Sequence, residues 1–134
     1  MPRRIYTDGV FDLFHANHLA LLKEAKSFGD FLIVGVASDF MTASYKRKPI
    51  INEAERLAIV SAIDCVDEAF LIDGLPTADA MENILAQHQI DLVVYAGDAT
   101  PEYYMPAEAR GIMHRLPYHD GVSTSNIIAR AKNY

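Results

Sequence analysis

The chain has 134 residues, of which 51% are hydrophobic, enough for one buried core and a single domain over residues 1–134. A formal net charge of −6 excludes the broad basic face that sequence-independent nucleic-acid binding needs, while a few local cations would still suffice for a nucleotide. One cysteine, Cys65, rules out an internal disulfide, and the absence of a signal peptide or of an apolar run of membrane-spanning length makes a cytoplasmic location, with no membrane partner, the expectation.

In chain order, the first element is a short apolar segment from Ile5 that ends at Asp8-Gly9. It is followed by Val10-Phe11-Asp12-Leu13-Phe14 and then by His15 and His18, three apart, opening an amphipathic helix that carries Leu19, Leu21, Leu22 and Ala25. A strand turning directly into a helix leaves the first-turn N–H groups exposed at the sheet's C-terminal edge, where phosphates bind in α/β proteins. Two imidazoles there can donate to phosphoryl oxygens. A His-x-x-His pair could also ligate a metal, but no third ligand lies beside it, and capping or surface roles are the commoner fate of a single histidine.

Phe31-Leu32-Ile33-Val34-Gly35-Val36-Ala37 is an unbroken apolar run, the pattern of a strand buried on both faces. Residues 66–72, 91–96 and 112–116 are further strands, and residues 53–63 and 77–87 are helices, the second started by Thr77. Strands alternating with helices predict an α/β fold with a five-stranded parallel sheet and helices on both faces. The Gly-x-Gly-x-x-Gly and Walker A fingerprints are absent, which argues against an ordinary dinucleotide fold or a P-loop enzyme.

The densest cationic group is Lys46, Arg47 and Lys48 ahead of Pro49, with Arg56 following Asn52-Glu53-Ala54-Glu55. Such a run is ordinarily a solvated loop, but one that follows a buried strand should emerge on the same edge as His15 and His18. The strand ending at Ala96 runs into Gly97-Asp98 on that edge, where Asp98 could equally close its own turn. Tyr103 and Tyr104 are either packing residues or an aromatic face for a quaternary ammonium group. Near the C-terminus, Gly121-Val122-Ser123-Thr124-Ser125 is a glycine turn and hydroxyl cluster opening a last helix, either a plain N-cap or a phosphate cradle.

Asp8-Gly9-Val10-Phe11-Asp12-Leu13-Phe14-His15, with His18 following, resembles the signature of the cytidylyltransferases that activate phosphocholine, phosphoethanolamine and glycerol 3-phosphate, within the HxGH nucleotidyltransferases. The wording is closest to the choline- and ethanolamine-phosphate branch. Ser38-Asp39, Tyr45-Lys46 and Asn52-Glu53-Ala54-Glu55-Arg56 fit that branch without a gap, and Gly121, Ser123 and Thr124 match the family's Arg-Thr-Glu-Gly-Ile-Ser-Thr motif. Three positions depart from the pattern. Asn17 stands where the motif has glycine, Tyr118 where it has arginine, and Gly97-Asp98-Ala99-Thr100 keeps only the first half of Gly-Asp-Asp-Trp.

The resemblance implies a Rossmann-like nucleotidyltransferase fold, a homodimer, and transfer of CMP from CTP to a small phosphorylated alcohol or amino alcohol with release of pyrophosphate. It implies catalytic roles for His15, His18 and Lys46, nucleotide contacts from Val10, Phe11, Arg56, Gly97, Asp98, Gly121, Ser123 and Thr124, and Mg²⁺ on Asp12, directly or through water. Arg47 and Lys48 receive no fixed role. Two alternatives stay open: a same-fold enzyme for another nucleotide or acceptor, such as an adenylyltransferase or a phosphonate cytidylyltransferase, and a nucleotide-binding protein without catalysis, which Asn17 and Tyr118 motivate.

Overall fold

A computed structural model describes residues 2–96, 101–117 and 121–134. The strands are β1 (Arg4–Gly9), β2 (Phe31–Ala37), β3 (Glu68–Ile72), β4 (Leu92–Ala96) and β5 (Met113–Leu116). They form one parallel sheet in the order β3-β2-β1-β4-β5. The chain winds outward from β1 in one direction through β2 and β3, then crosses back to β4 and β5. The switch therefore falls between β1 and β4, and the crevice beyond their C-terminal ends is where such sheets bind ligands.

Side-chain alternation fills both faces. Ile5, Leu32, Val34, Val36 and Val94 join Leu22 and Ala25 of α1 (Ala16–Lys26) and Val60 of α3 (Glu53–Ser61) in one core cluster. Tyr6, Ile33, Ala37 and Val93 join Met81, Ile84 and Leu85 of α4 (Ala78–His88) and Ala107 of α5 (Met105–Ala109) in the other. The expected α/β architecture with helices on both faces is thus what the chain adopts.

Several local features differ from expectation. β1 does not run directly into α1: residues 10–15 intervene, and Phe11 (φ 56°) and Leu13 (φ 49°) adopt the left-handed conformation, which sequence does not announce for large apolar residues. The third strand starts at Glu68, because Val66 closes a turn onto Ile63 and Asp67 holds the Leu32 amide. The basic stretch begins with a short helix, α2 (Asp39–Ala43), capped by Ser38, whose Oγ accepts the Met41 amide. Tyr103 and Tyr104 sit in a single 3₁₀ turn that leads into α5, and a final helix, α6 (Thr124–Lys132), closes the chain. Among the described residues no helix is long and apolar enough to cross a membrane.

Candidate active site

The loop after β1 is anchored by its own aspartate. Asp12 Oδ2 and Oδ1 accept the backbone N–H groups of Ile50 (2.8 Å) and Ile51 (2.9 Å), so the motif holds the end of the basic loop. The Asp12 carbonyl accepts the Thr124 hydroxyl at 2.9 Å, bringing the start of α6 to the same point. Arg56 is fully buried and donates from Nη1 to the carbonyls of Val10 and Ala37 (both 2.7 Å), from Nε to that of Ile51 (2.8 Å) and from Nη2 to Asp39 Oδ1 (2.7 Å). Four of its five N–H donors are thereby engaged within the protein. In the structure this guanidinium clamps the ends of β1 and β2 to the start of α3.

These ties enclose a cavity of about 330 Å³ lined by Val10, Phe11, Asp12, His18, Thr42, Lys46, Arg47, Pro49, Ser123, Thr124 and Ser125. Three pieces of chain far apart in sequence, around residues 15, 46 and 124, therefore converge on one space. Arg47, which sequence left without a role, lines it as well. Ser125, part of the hydroxyl cluster, lines it too, and Thr42 was missed, since nothing distinguishes such a hydroxyl until the fold places it.

His15 and His18 stack with ring centroids 3.7 Å apart, and the His15 backbone N–H donates to His18 Nδ1 (3.2 Å). An accepting Nδ1 carries no proton, so neutral His18 must bear its hydrogen on Nε2. Burial, then repulsion from His15, pushes the His18 pKa down to about 4 against the smaller opposing pull of Asp12; burial lowers that of His15. At neutral pH, His18 offers a neutral Nε2–H donor at the cavity wall. His15 is outside the lining set, and its buried Nδ1 has no hydrogen-bond partner among the described residues.

Burial, followed by repulsion from Arg47, lowers the Lys46 pKa, and Asp12 opposes that shift. An anion in the cavity would relieve both. At the head of α6, Gly121 takes φ +103°, a value that favours glycine, and Ser123 caps the helix by accepting the Asn126 amide at 3.1 Å, which leaves its hydroxyl hydrogen to donate. Thr124 has its hydroxyl hydrogen on Asp12, so its remaining donor is its backbone N–H. Asn17 does not line the cavity: its Nδ2 donates to the Val122 carbonyl at 2.6 Å. Gly97, Asp98 and Tyr118 lie outside the described residues.

Among the described residues, Asp12 is the one carboxylate lining this cavity, and no cluster of three or more His, Cys, Asp or Glu could hold a metal by itself. Each Asp12 oxygen retains a lone pair beyond its backbone contact. That donor set fits Mg²⁺, which commonly takes one or two carboxylates and completes its shell with water and substrate phosphates.

A second cavity of about 520 Å³ adjoins the first, sharing Val10 and Lys46. Asp8, Met41, Ile72, Pro76 and the rings of Tyr45, Tyr95, Tyr103 and Tyr104 line it. Asp8 accepts from Tyr6 Oη (2.8 Å) and from Tyr104 Oη. Removal from bulk water raises the Asp8 carboxyl pKa despite these bonds, and the same burial, with the Asp8 charge, pushes the Tyr104 phenol well above its ordinary value.

Comparison with known proteins matches residues 6–130 to the family described as Cytidylyltransferase-like. The chain is 36% identical over 136 aligned positions to the bifunctional protein HldE of Geotalea uraniireducens (strain Rf4), covering 97% of this chain and 27% of that protein. It is also 36% identical to choline-phosphate cytidylyltransferase A of Homo sapiens, covering 96% of this chain and 36% of that one. It thus spans about a third or less of the length of these curated relatives. Among solved structures, the lipopolysaccharide core biosynthesis protein of Thermoplasma volcanium GSS1 superposes with a TM-score of 0.73 at 29% identity, over 90% of this chain and 100% of that one. The motif residues, the winding of the sheet about its switch point and these relatives agree: the chain belongs to the cytidylyltransferase-like family.

Proposed function

We propose that the chain transfers the CMP moiety of CTP to a small phosphorylated alcohol or amino alcohol. A non-bridging oxygen of the acceptor phosphate attacks the α-phosphorus, the bond to the β-phosphate oxygen breaks, and pyrophosphate leaves. That oxygen is already ionised near neutral pH, so the step needs no general base, and the protein contributes positioning and charge stabilisation. The observation that carries this reading is the convergence of His18, Lys46, Arg47 and the head of α6 on one cavity.

In this scheme His18 donates Nε2–H to the triphosphate, with His15 stacked behind it. Lys46 and Arg47 neutralise phosphate charge, and Ser123 and the first-turn amides of α6 orient the leaving group. Mg²⁺ held on Asp12 would screen the phosphates. Lys46, shared by the two cavities, is placed between nucleotide and acceptor. The second cavity suits the acceptor, because its tyrosine walls and the Asp8 carboxylate match a cationic headgroup. A homodimer accompanies the proposal, on the strength of the family resemblance.

The adenylyltransferase alternative left open by the sequence keeps ATP in view as the other nucleotide. Calorimetry with CTP and ATP decides between them by the affinity gap. Pyrophosphate release is then measured across a panel of phospho-alcohols, including phosphocholine, phosphoethanolamine, glycerol 3-phosphate and a sugar 1-phosphate. Turnover with one of them, lost in His18→Ala, is expected. Binding without turnover for every acceptor would favour a nucleotide-binding protein instead.

A further inference from the structure

Helix α6 contributes no buried residue, although its first turn forms part of the phosphate cavity. That turn is organised internally: Ser123 Oγ accepts the Asn126 amide, and Asn126 Nδ2 donates to the Gly121 carbonyl at 2.9 Å. A unit of this kind, whose apolar residues Ile127 and Ile128 are only half-buried, depends for its position on the polar ties at its start. Two such ties reach the motif. Thr124 Oγ1 donates to the Asp12 carbonyl at 2.9 Å, and Asn17 Nδ2 donates to the Val122 carbonyl at 2.6 Å, immediately before the cap residue.

We infer that Asn17 is a positioning residue that tethers the head of α6 above the phosphate cavity. Residue 17 occupies the second position of α1, between the stacked histidines, so a bond from its amide fixes the distance from Ser123 and Thr124 to the His18 wall. A glycine there, as the motif carries, has no side chain with which to make this bond. On this reading the substitution by asparagine is compatible with binding, since the side chain lies outside the cavity lining and bonds the opposing segment. The consequence for catalysis rests on the nucleotidyl-transfer reading above; the tether itself does not.

The test uses the full chain and two variants. Asn17→Gly removes both the bulk and the bond. Asn17→Asp keeps the shape and places a second acceptor against the Val122 carbonyl. Losing one net hydrogen bond corresponds to roughly a three- to tenfold change in the equilibrium it supports. Hydrogen exchange, which needs no nucleotide, should show the amides of α6 exchanging about that much faster in both variants, with the sheet unaffected. KM for the nucleotide should rise by about the same factor, with kcat and the acceptor KM changed less.

Unchanged α6 exchange overturns the tether. Faster exchange with an unmoved nucleotide KM overturns the positioning role alone, and tighter nucleotide binding in Asn17→Gly would mean that the side chain obstructs the site. A wild-type chain that binds neither CTP nor ATP defeats the nucleotidyl-transfer reading and the positioning role together, while the exchange difference would still establish the tether.

Discussion

The backbone N–H of His15 donates to His18 Nδ1, and the two imidazoles stack face to face 3.7 Å apart. A proton added to His18 would have to enter at Nδ1, breaking that bond and placing a cation against its neighbour. Burial first, and then this repulsion from His15, push the His18 pKa down to about 4.

A folded-state pKa below the unfolded value of about 6.5 means that the unfolded chain binds more protons between those limits. The contribution of His18 to stability is therefore full above pH 6.5 and lost progressively as pH falls toward 4. The wild-type melting temperature should drop more steeply than that of His18→Gln over this window, and the two should run parallel above it. Parallel curves throughout would contradict the assignment. A bound triphosphate should raise the His18 pKa, because an anion favours the imidazolium. NMR titration of the imidazole nitrogens, with and without nucleotide, would detect the shift.

Arg56→Lys tests whether the buried guanidinium acts as a clamp. Lysine keeps the charge but cannot reach the carbonyls of Val10, Ala37 and Ile51 together with Asp39. Breaking a buried charged network costs about 3–5 kcal/mol. Urea denaturation should show a loss of that order. A variant as stable as wild type but with a large rise in nucleotide KM would favour the expected direct contact with the nucleotide instead.

The architecture was legible because β2 is apolar at every position and the flanking segments alternate helix and strand signals. Thr77, Asn52 and Ser123 also cap their helices with their own side chains, the local chemistry that sequence displays best. The clamping by Arg56 was not legible because a sequence shows a charge without its partners, and its acceptors are mostly backbone carbonyls contributed by three separate segments. Phe11 and Leu13 adopt positive φ because the ties around them hold the loop, which no single-residue preference foretells. The brief helix α2 was not foreseen because five residues are too few to show a period. Asn17 was visible as a departure from the motif, but its bond to Val122 depends on where α6 returns.

Gly35 packs against Tyr6 and against Ile72, which lines the second cavity. A Cβ there would collide with Tyr6 Oη and come within 2.7 Å of Ile72 Cδ1. Gly35→Ala should therefore displace Tyr6, the donor to Asp8, and cost about 1–3 kcal/mol by overpacking. Thermal denaturation checks the stability. Acceptor KM should rise more than nucleotide KM, because Asp8 belongs to the second cavity alone.

Asp12 joins two roles that substitution can separate. Its carboxylate fastens the Ile50 and Ile51 amides, and the same oxygens are the proposed seat of Mg²⁺. Asp12→Ala removes both, leaving two backbone donors to find water, at a cost of about 2–4 kcal/mol. Asp12→Asn retains one good acceptor for the loop but presents an amide nitrogen to the other amide, and it withdraws the charge a divalent cation needs. The asparagine variant should keep more stability than the alanine variant, yet show at least as large an increase in the Mg²⁺ concentration required for half-maximal turnover. Denaturation and metal titration of both variants, read side by side, distinguish the two roles. If turnover of Asp12→Asn follows its stability and its metal requirement stays at the wild-type value, Asp12 is a loop anchor and the cation is held by the phosphates alone.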